Sequence, residues 1–165
     1  MRTFTDAGGR TWTINLTLGT AMTVRDKLGI DLLQPEHPRN GDPAGQPLLT
    51  SLGTDELLLG EVICCLLDDQ FEKQNVTDAD VRRAFDGRTL LAAQTAFYEE
   101  LIDFFRSRGR TDRARAVEKQ KQLIETAVRT IETRIEHLDI EAAIAGAMSG
   151  VLPEPLDSDP VNSDG

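Results

Sequence analysis

The sequence has few of the residues that build metal centres, disulfide frameworks or nucleophilic active sites. Among 165 residues there are two cysteines, two histidines, one tryptophan and one tyrosine. Cys64 and Cys65 are adjacent within an apolar segment, so they would make a poor structural bridge and are expected to be buried, reduced thiols. His37 and His137 have no cysteine or histidine at metal-ligand spacing, so the sequence predicts no metal site.

Sequence motifs of nucleotide-binding and hydrolytic enzymes are also missing. The chain contains no G-x-x-x-x-G-K-[ST] loop, no G-x-G-x-x-G after a strand and no G-x-S-x-G turn. Two pairs of adjacent carboxylates, at 68–69 and 99–100, would point about 100° apart on a helix, whereas an acid–base pair needs convergent groups. We therefore predict that the protein is not an enzyme and uses no cofactor.

Long apolar runs and basic charge are scarce as well. No segment approaches the roughly 18 apolar residues of a membrane-spanning helix. The N-terminus lacks the apolar run of a signal peptide, so we expect a cytoplasmic protein that does not bind membranes. The 18 Lys and Arg residues are outnumbered by 28 Asp and Glu residues, which gives a formal net charge of −10. This acidity argues against general nucleic-acid binding, which needs a basic footprint.

The charge is distributed unevenly along the chain. Residues 54–104 contain 12 acidic and 4 basic residues, whereas residues 106–137 contain 9 Lys and Arg against 5 acidic residues. An arginine cluster opens the basic segment and comprises Arg106, Arg108, Arg110, Arg113 and Arg115. It is interpreted either as a solvated helix junction that pairs with the acidic helices, or as a contact surface for an acidic partner.

The first 16 residues predict a β-hairpin. Phe4 lies between two threonines, Trp12 and Ile14 alternate with polar residues, and the intervening segment 6–9 has the Asp and Gly residues of a tight turn. An isolated hairpin is marginally stable in water, so Phe4 and Trp12 are expected to pack on the helices that follow.

Helical patterns with start and stop signals fill most of the remaining chain. The sequence predicts a mainly α protein with a bundle of five to six helices, in one domain of residues 1–150. A helix is predicted over 18–28, and Thr54, Thr77 and Thr89 are the expected caps of three more. Four prolines predict a loop at 34–47, and the composition of 151–165 predicts a disordered acidic tail.

The longest periodic segment, 111–138, predicts a long amphipathic helix near the C-terminus. Its apolar stripe consists of Ala114, Val117, Ile124, Val128, Ile131, Ile135 and Leu138. Lys121 is the polar residue at the position of the repeat between Val117 and Ile124. The stripe would fold back on the 89–105 helix, which we favour, pair with a second copy as a coiled coil, or bind another protein. Asp139 and Glu141 are expected to start a separate small helix.

A set of large apolar residues is predicted to form the core. These residues are Phe4, Trp12, Leu58, Val62, Leu66, Phe85, Phe97, Leu101 and Phe104. Truncating any of the large ones to alanine is expected to lower the free energy of unfolding by about 2–5 kcal/mol, measured by chemical denaturation.

Four segments resemble those of a family of small phage and prophage proteins, the siphophage tail assembly chaperones. Residues 2–12 match a hairpin of the form R-T-F-T-D-x-x-G-R-T-W, and 29–33 match G-[IV]-[DN]-L-L. Residues 76–81 are similar to V-[ST]-D-E-D-F, and 99–105 to E-E-L-[VI]-D-F-F. The resemblance extends over roughly residues 1–105 and weakens beyond them.

The resemblance implies a role in assembly. Such chaperones bind the tape-measure protein, keep its long helix from aggregating, help to recruit tail-tube subunits, and leave before the virion is complete. The resemblance therefore implies action in the host cytoplasm and absence from the mature virion. The residues expected to bind a partner come from the stripe and the arginine cluster: Arg106, Arg108, Arg110, Val117, Ile124, Val128, Ile131 and Ile135.

Two other functions fit parts of the sequence. A permanent structural protein of the virion tail would share the helical composition. A helical DNA-binding regulator would use 76–85 and 90–105 as a helix-turn-helix, with the arginine cluster on phosphates, although the first of these helices is acidic.

Overall fold

The computed structural model describes residues 1–39 and 41–149, without the side chains of 148 and 149. The elements are β1 (Arg2–Thr5), β2 (Thr11–Ile14), α1 (Leu18–Leu28), α2 (Leu48–Thr54), α3 (Glu56–Phe71), α4 (Asp78–Ala84), α5 (Gly87–Ser107) and α6 (Thr111–Ser149). The predicted mainly α fold with an N-terminal hairpin and a long C-terminal helix is confirmed. The chain divides into two units, Met1–Ile124 and Glu125–Gly165, and the predicted tail 151–165 lies outside the described residues.

The hairpin forms as its alternation predicts. β1 and β2 pair antiparallel with Phe4 opposite Trp12, and both side chains are buried. Gly9 has a φ of +80°, a conformation that its turn position requires and that glycine adopts without strain. Since β1 contacts α5 and β2 contacts α3, the two helices cover the face that a free hairpin would expose to water.

Helix α3 lies at the centre of the first unit. It contacts α1, α2, α4, α5 and β2, and its side chains are buried on most sides. Its apolar residues therefore follow no single stripe, which is the pattern of a central helix. Gln70 extends the contact with β2, because its side chain accepts from the backbone N–H of Thr13 at 3.0 Å and donates to the Thr13 carbonyl at 2.7 Å.

Three predicted helix boundaries are wrong, by one residue at α3 and by three or more at the other two. Asp55, and not Thr54, caps α3, with its carboxylate accepting from the Leu58 N–H at 3.1 Å. Asp86, and not Thr89, caps α5, because the carboxylate reaches the Thr89 N–H at 2.8 Å. At the N-termini of both helices an aspartate is the cap, because its carboxylate is a stronger hydrogen-bond acceptor than a threonine hydroxyl. The predicted break at Asp139 does not occur, and α6 continues to Ser149. Residues 111–139 contain no glycine or proline that would end the helix.

Seven of the nine predicted core residues are buried, and two lie at the edge of the core. Phe85 and Phe104 are only partly buried, although Phe85 still meets Phe4 edge-to-face with ring centroids 5.6 Å apart. On α5 the inner row consists of Phe97, Leu101 and Phe105, at successive steps of four residues, so Phe104 falls beside it. Truncation of Phe85 or Phe104 should therefore cost less than truncation of the buried phenylalanines.

Both cysteines are free thiols, as expected, but only Cys64 is buried. Cys65 lies at intermediate exposure on α3. Burial raises the pKa of both thiols, which keeps them protonated and weakly nucleophilic near neutral pH.

Candidate protein-binding surface

The segments that carry the family resemblance hold the hairpin against α5. Arg2 of β1 donates from Nη2 to Asp103 Oδ2 at 2.7 Å. Glu100 is buried, and its Oε1 accepts from the backbone N–H of Leu16 at 3.0 Å, while the Met1 ammonium lies 2.5 Å from Oε2. The R-T-F-T-D and E-E-L-I-D-F-F segments therefore bind each other within one chain. Their side chains therefore stabilise the fold.

Asp6 organises the hairpin turn from a fully buried side chain. Its Oδ1 accepts from the backbone N–H groups of Gly8 and Arg10, each at 2.9 Å, and its Oδ2 accepts from Trp12 Nε1 at 2.9 Å. Burial by itself would raise the pKa of Asp6, but the hydrogen bonds from Trp12, Arg10 and Gly8 outweigh it and hold the pKa below its ordinary value. The carboxylate thus stays ionised and ties the turn to the core.

The first part of α6, Thr111–Ile124, packs on its own chain. Ala114 and Val117 are buried in the core, and Ile124 packs against it while partly exposed. Lys121, the polar residue of the stripe, reaches Glu99 on α5 with Nζ 3.5 Å from Oε1. A Cβ at Gly53 on α2 would lie 2.5 Å from Gln120 Nε2, so α2 and α6 approach closely there. Ala114, Val117 and Lys121 of the stripe are therefore engaged within the chain.

In the second unit, five large aliphatic side chains of α6 are more than half exposed. The exposed fractions are 56% for Ile131, 53% for Ile135, 61% for Leu138, 58% for Ile140 and 52% for Ile144. Ile131, Ile135 and Leu138 share one face of the helix, and a contiguous exposed apolar surface is typical of a protein–protein contact. We call the residues at 128, 131, 135, 138, 142 and 145 the seam, because they follow one another at alternating steps of three and four.

The predicted stripe residues separate into three groups. Val117 has no exposed surface and is a core residue, which does not fit the expectation that it binds a partner. Ile124 and Val128 are partly exposed, and Ile131 and Ile135 are open to solvent. The predicted fold-back on α5 therefore describes only the beginning of the stripe.

Two of these five exposed residues were not part of the predicted stripe. Ile140 and Ile144 lie on the face of the helix opposite the seam, since residues two and six positions after Leu138 fall about 200° and 240° around the axis. Their spacing of four was visible in the sequence, but the expected break at Asp139 separated them from the long helix.

The arginine cluster is mostly paired within the chain. Arg106 pairs with Glu118, and Arg110 donates to both carboxylate oxygens of Asp112 at 3.0 and 2.8 Å. Arg113 pairs with Glu36 at 2.5 Å and lies 5.9 Å from the Phe105 ring centroid, which joins the 34–47 loop to the start of α6. The partners are acids of α6 and the loop, and not those of the preceding helices.

The remaining arginines of the cluster, Arg108 and Arg115, are exposed and form no ion pair with the described residues. Of the three arginines predicted to bind a partner, Arg108 is thus the one whose guanidinium is not engaged by the described part of its own chain. Its position directly before Gly109, at the α5–α6 junction, places this positive charge in the first unit.

Neither a metal centre nor a membrane span is present in the described part of the chain. No group of three or more His, Cys, Asp or Glu side chains there has the arrangement of a metal site. No described helix is long and apolar enough to cross a membrane.

Comparisons of this chain with protein-family models, with curated proteins and with solved structures found no significant match.

Proposed function

We propose that the protein is a siphophage-type tail assembly chaperone. In this role it binds the tape-measure protein in the host cytoplasm, helps to recruit tail-tube subunits, and leaves before the virion is complete. The family resemblance of residues 1–105 supports the proposal. In the structure those segments build a folded unit from the hairpin, α3 and α5, and that unit carries the start of α6.

The observation that carries the proposal is the exposed apolar face of α6. A tape-measure protein is a long helical polypeptide, and a helix binds another helix through apolar anchors spaced at i, i+3, i+4 and i+7. Ile131, Ile135 and Leu138 provide the i, i+4 and i+7 positions of that spacing and are each more than half exposed. A chaperone needs such a face to be presented for binding and to be released afterwards.

The geometry of α5 argues against the DNA-binding alternative. A recognition helix must place an exposed face in the major groove. Residues 96–98, 100–102 and 105 of α5 are buried, and the hairpin packs on this helix. The adjoining α4 has acids in its first turn, which phosphates would repel.

Co-expression with the tape-measure protein encoded nearby tests the proposal, with tape-measure solubility and co-purification as the measurements. Ile131→Asp is expected to weaken binding about tenfold or more, because it puts a charge in the apolar contact. Ile140→Asp is the matched control, since it makes the same change at an equally exposed position of the same helix outside the seam.

If the tape-measure protein stays insoluble with the wild-type chain, the chaperone proposal is wrong. Mass spectrometry of purified particles separates the remaining structural alternative, since a permanent tail component would be found in the virion and a chaperone would not.

A further inference from the structure

The seam in the second unit has the repeat of a coiled coil. In heptad notation, Val128, Ile135 and Ala142 occupy a positions, and Ile131, Leu138 and Ala145 occupy d positions. The repeat continues for three heptads without a polar residue. In the first unit the corresponding a and d positions make contacts within the chain, because Val117 is buried and Lys121 reaches Glu99. Any pairing of the seam with another helix is therefore confined to the second unit.

Charges beside the seam determine which orientation of two identical helices is favourable. The e positions are all acidic up to Asp139, namely Glu125, Glu132 and Asp139. In an antiparallel pair e positions face e positions, so these acids would repel one another. In a parallel pair each g position faces the next e position of the partner, and Arg134 then faces Asp139.

The other parallel g–e pairs introduce no repulsion. Ala127 would face Glu132, and Glu141 would face Gly146. The only parallel pair in which both residues are charged is thus the attractive pair of Arg134 and Asp139. Glu141 also has a partner in its own helix, since His137 Nε2 lies 2.9 Å from its Oε1.

We propose that two copies of this chain associate through the seam of residues 128–145 as a parallel, in-register coiled coil. Val128 and Ile135 are β-branched residues at a positions, and Leu138 occupies the central d position, an arrangement that favours two strands. Pairing would bury Ile131, Ile135 and Leu138, and would leave Ile140 and Ile144 on the outer face. The proposal does not depend on a phage function, because the second copy is the only partner it needs. A tape-measure helix that binds the same seam would have to replace that copy.

The mass of the full-length chain in solution tests the proposal, using light scattering after size-exclusion chromatography without any partner protein. Wild type is expected at twice the 18.2 kDa of one chain. Ile131→Asp and Ile135→Asp should each lower the mass twofold, since each puts a charge in the seam. Ile140→Asp and Ile144→Asp, with closely matched exposure, should keep the mass of two chains.

Circular dichroism of each variant checks that the first unit stays folded, since none of these substitutions touches its core. A wild-type mass of one chain or of three chains would overturn the proposal. So would variants in which the outer-face substitutions dissociate the protein as readily as the seam substitutions do.

Cysteine cross-linking tests the parallel orientation. Ala145→Cys at the last d position should form a disulfide between two chains under mild oxidation, because a parallel seam places the two introduced thiols together at one end. Ala143→Cys, an exposed position outside the seam, should not. An antiparallel pair would separate the two introduced thiols by most of the length of the seam. Failure of Ala145→Cys to cross-link a two-chain species therefore contradicts the stated orientation.

A charge exchange gives an independent measurement of the same pairing. Arg134→Glu would place two acids at the predicted g–e contact and should weaken dimerisation, whereas Arg134→Glu combined with Asp139→Arg should restore it. If the chain dimerises but does not keep the tape-measure protein soluble, this inference stands and the chaperone proposal is wrong. If the chain keeps the tape-measure protein soluble but has the mass of one chain, the chaperone proposal stands and this inference is wrong.

Discussion

Replacing Asp6 with alanine is expected to lower the free energy of unfolding by about 3–5 kcal/mol. The substitution removes a buried carboxylate that accepts hydrogen bonds from two backbone N–H groups and from Trp12 Nε1. Trp12 would remain buried and Arg10 half-buried without this acceptor, whereas the exposed Gly8 N–H can turn to water. An unsatisfied buried donor is more costly than a hydrogen bond is stabilising. The hairpin is the part of the fold that should open first, since the turn and its only tryptophan depend on this carboxylate.

Urea denaturation followed by far-ultraviolet circular dichroism measures this change at one fixed protein concentration, because dimerisation would add a concentration-dependent contribution. Asp26→Ala is the control. Asp26 is an exposed aspartate on α1 whose weak pair with Arg25 spans 3.7 Å, so its loss should cost little. Equal effects of the two substitutions would contradict the role assigned to Asp6.

The same carboxylate makes stability depend on pH in the acid range. Because folding depresses the pKa of Asp6, its contribution is fully present above the unfolded value of about 3.9 and is lost as pH falls through the folded pKa. The difference in unfolding free energy between wild type and Asp6→Ala should therefore be constant near neutral pH and become smaller below about pH 4. A difference that grows on acidification would contradict the depressed pKa.

The hairpin and the ends of several helices were predictable because their signals are local. Gly9 is where the turn requires a positive φ, Gly29 ends α1 in the left-handed conformation, and Gly109 separates α5 from α6. In each case glycine permits a left-handed backbone conformation that other residues rarely adopt, so the local sequence suffices for the prediction. Thr77 is similar, since its capping interaction with Asp80 lies within four residues.

Features that depend on contacts between distant segments were not predictable. Helix α2 has seven residues, which is too few for a clear periodicity, and it is stabilised by burial of Leu48 and Leu52. Gly53 allows its close approach to α6, and nothing in the local sequence indicates that use of a glycine. The hydrogen bonds of Asp6 to Trp12 and of Glu100 to Leu16 likewise require the folded hairpin.

Along α6, the local pattern was predictable from the sequence, whereas the burial of each residue was not. Periodicity predicted the stripe correctly, but Val117 and Ile131 follow the same repeat and cannot be told apart by it. Whether a stripe residue is covered depends on whether other elements of the fold lie over it. The core of the first unit covers Val117, whereas Ile131 is more than half exposed.

Placing an aspartate at each of these two positions should therefore give opposite results. Val117→Asp is expected to destabilise the chain by about 3–5 kcal/mol, because an unpaired carboxylate would be buried in the core. Ile131→Asp should leave the folding of the first unit unchanged and alter only association and partner binding. The comparison is matched, since both substitutions replace a β-branched aliphatic residue of the same apolar stripe with the same charge.

The effect on folding is measured by far-ultraviolet circular dichroism during thermal unfolding. Limited proteolysis of the full-length chain shows whether cleavage occurs within residues 1–124. Val117→Asp should lower the midpoint strongly and expose the first unit to cleavage. Ile131→Asp should keep that unit protease-resistant while changing the mass in solution. If both variants unfold, the second half of α6 contributes to the core, and the seam is not a surface available to another chain. If neither unfolds, Val117 is not the core residue that its complete burial indicates.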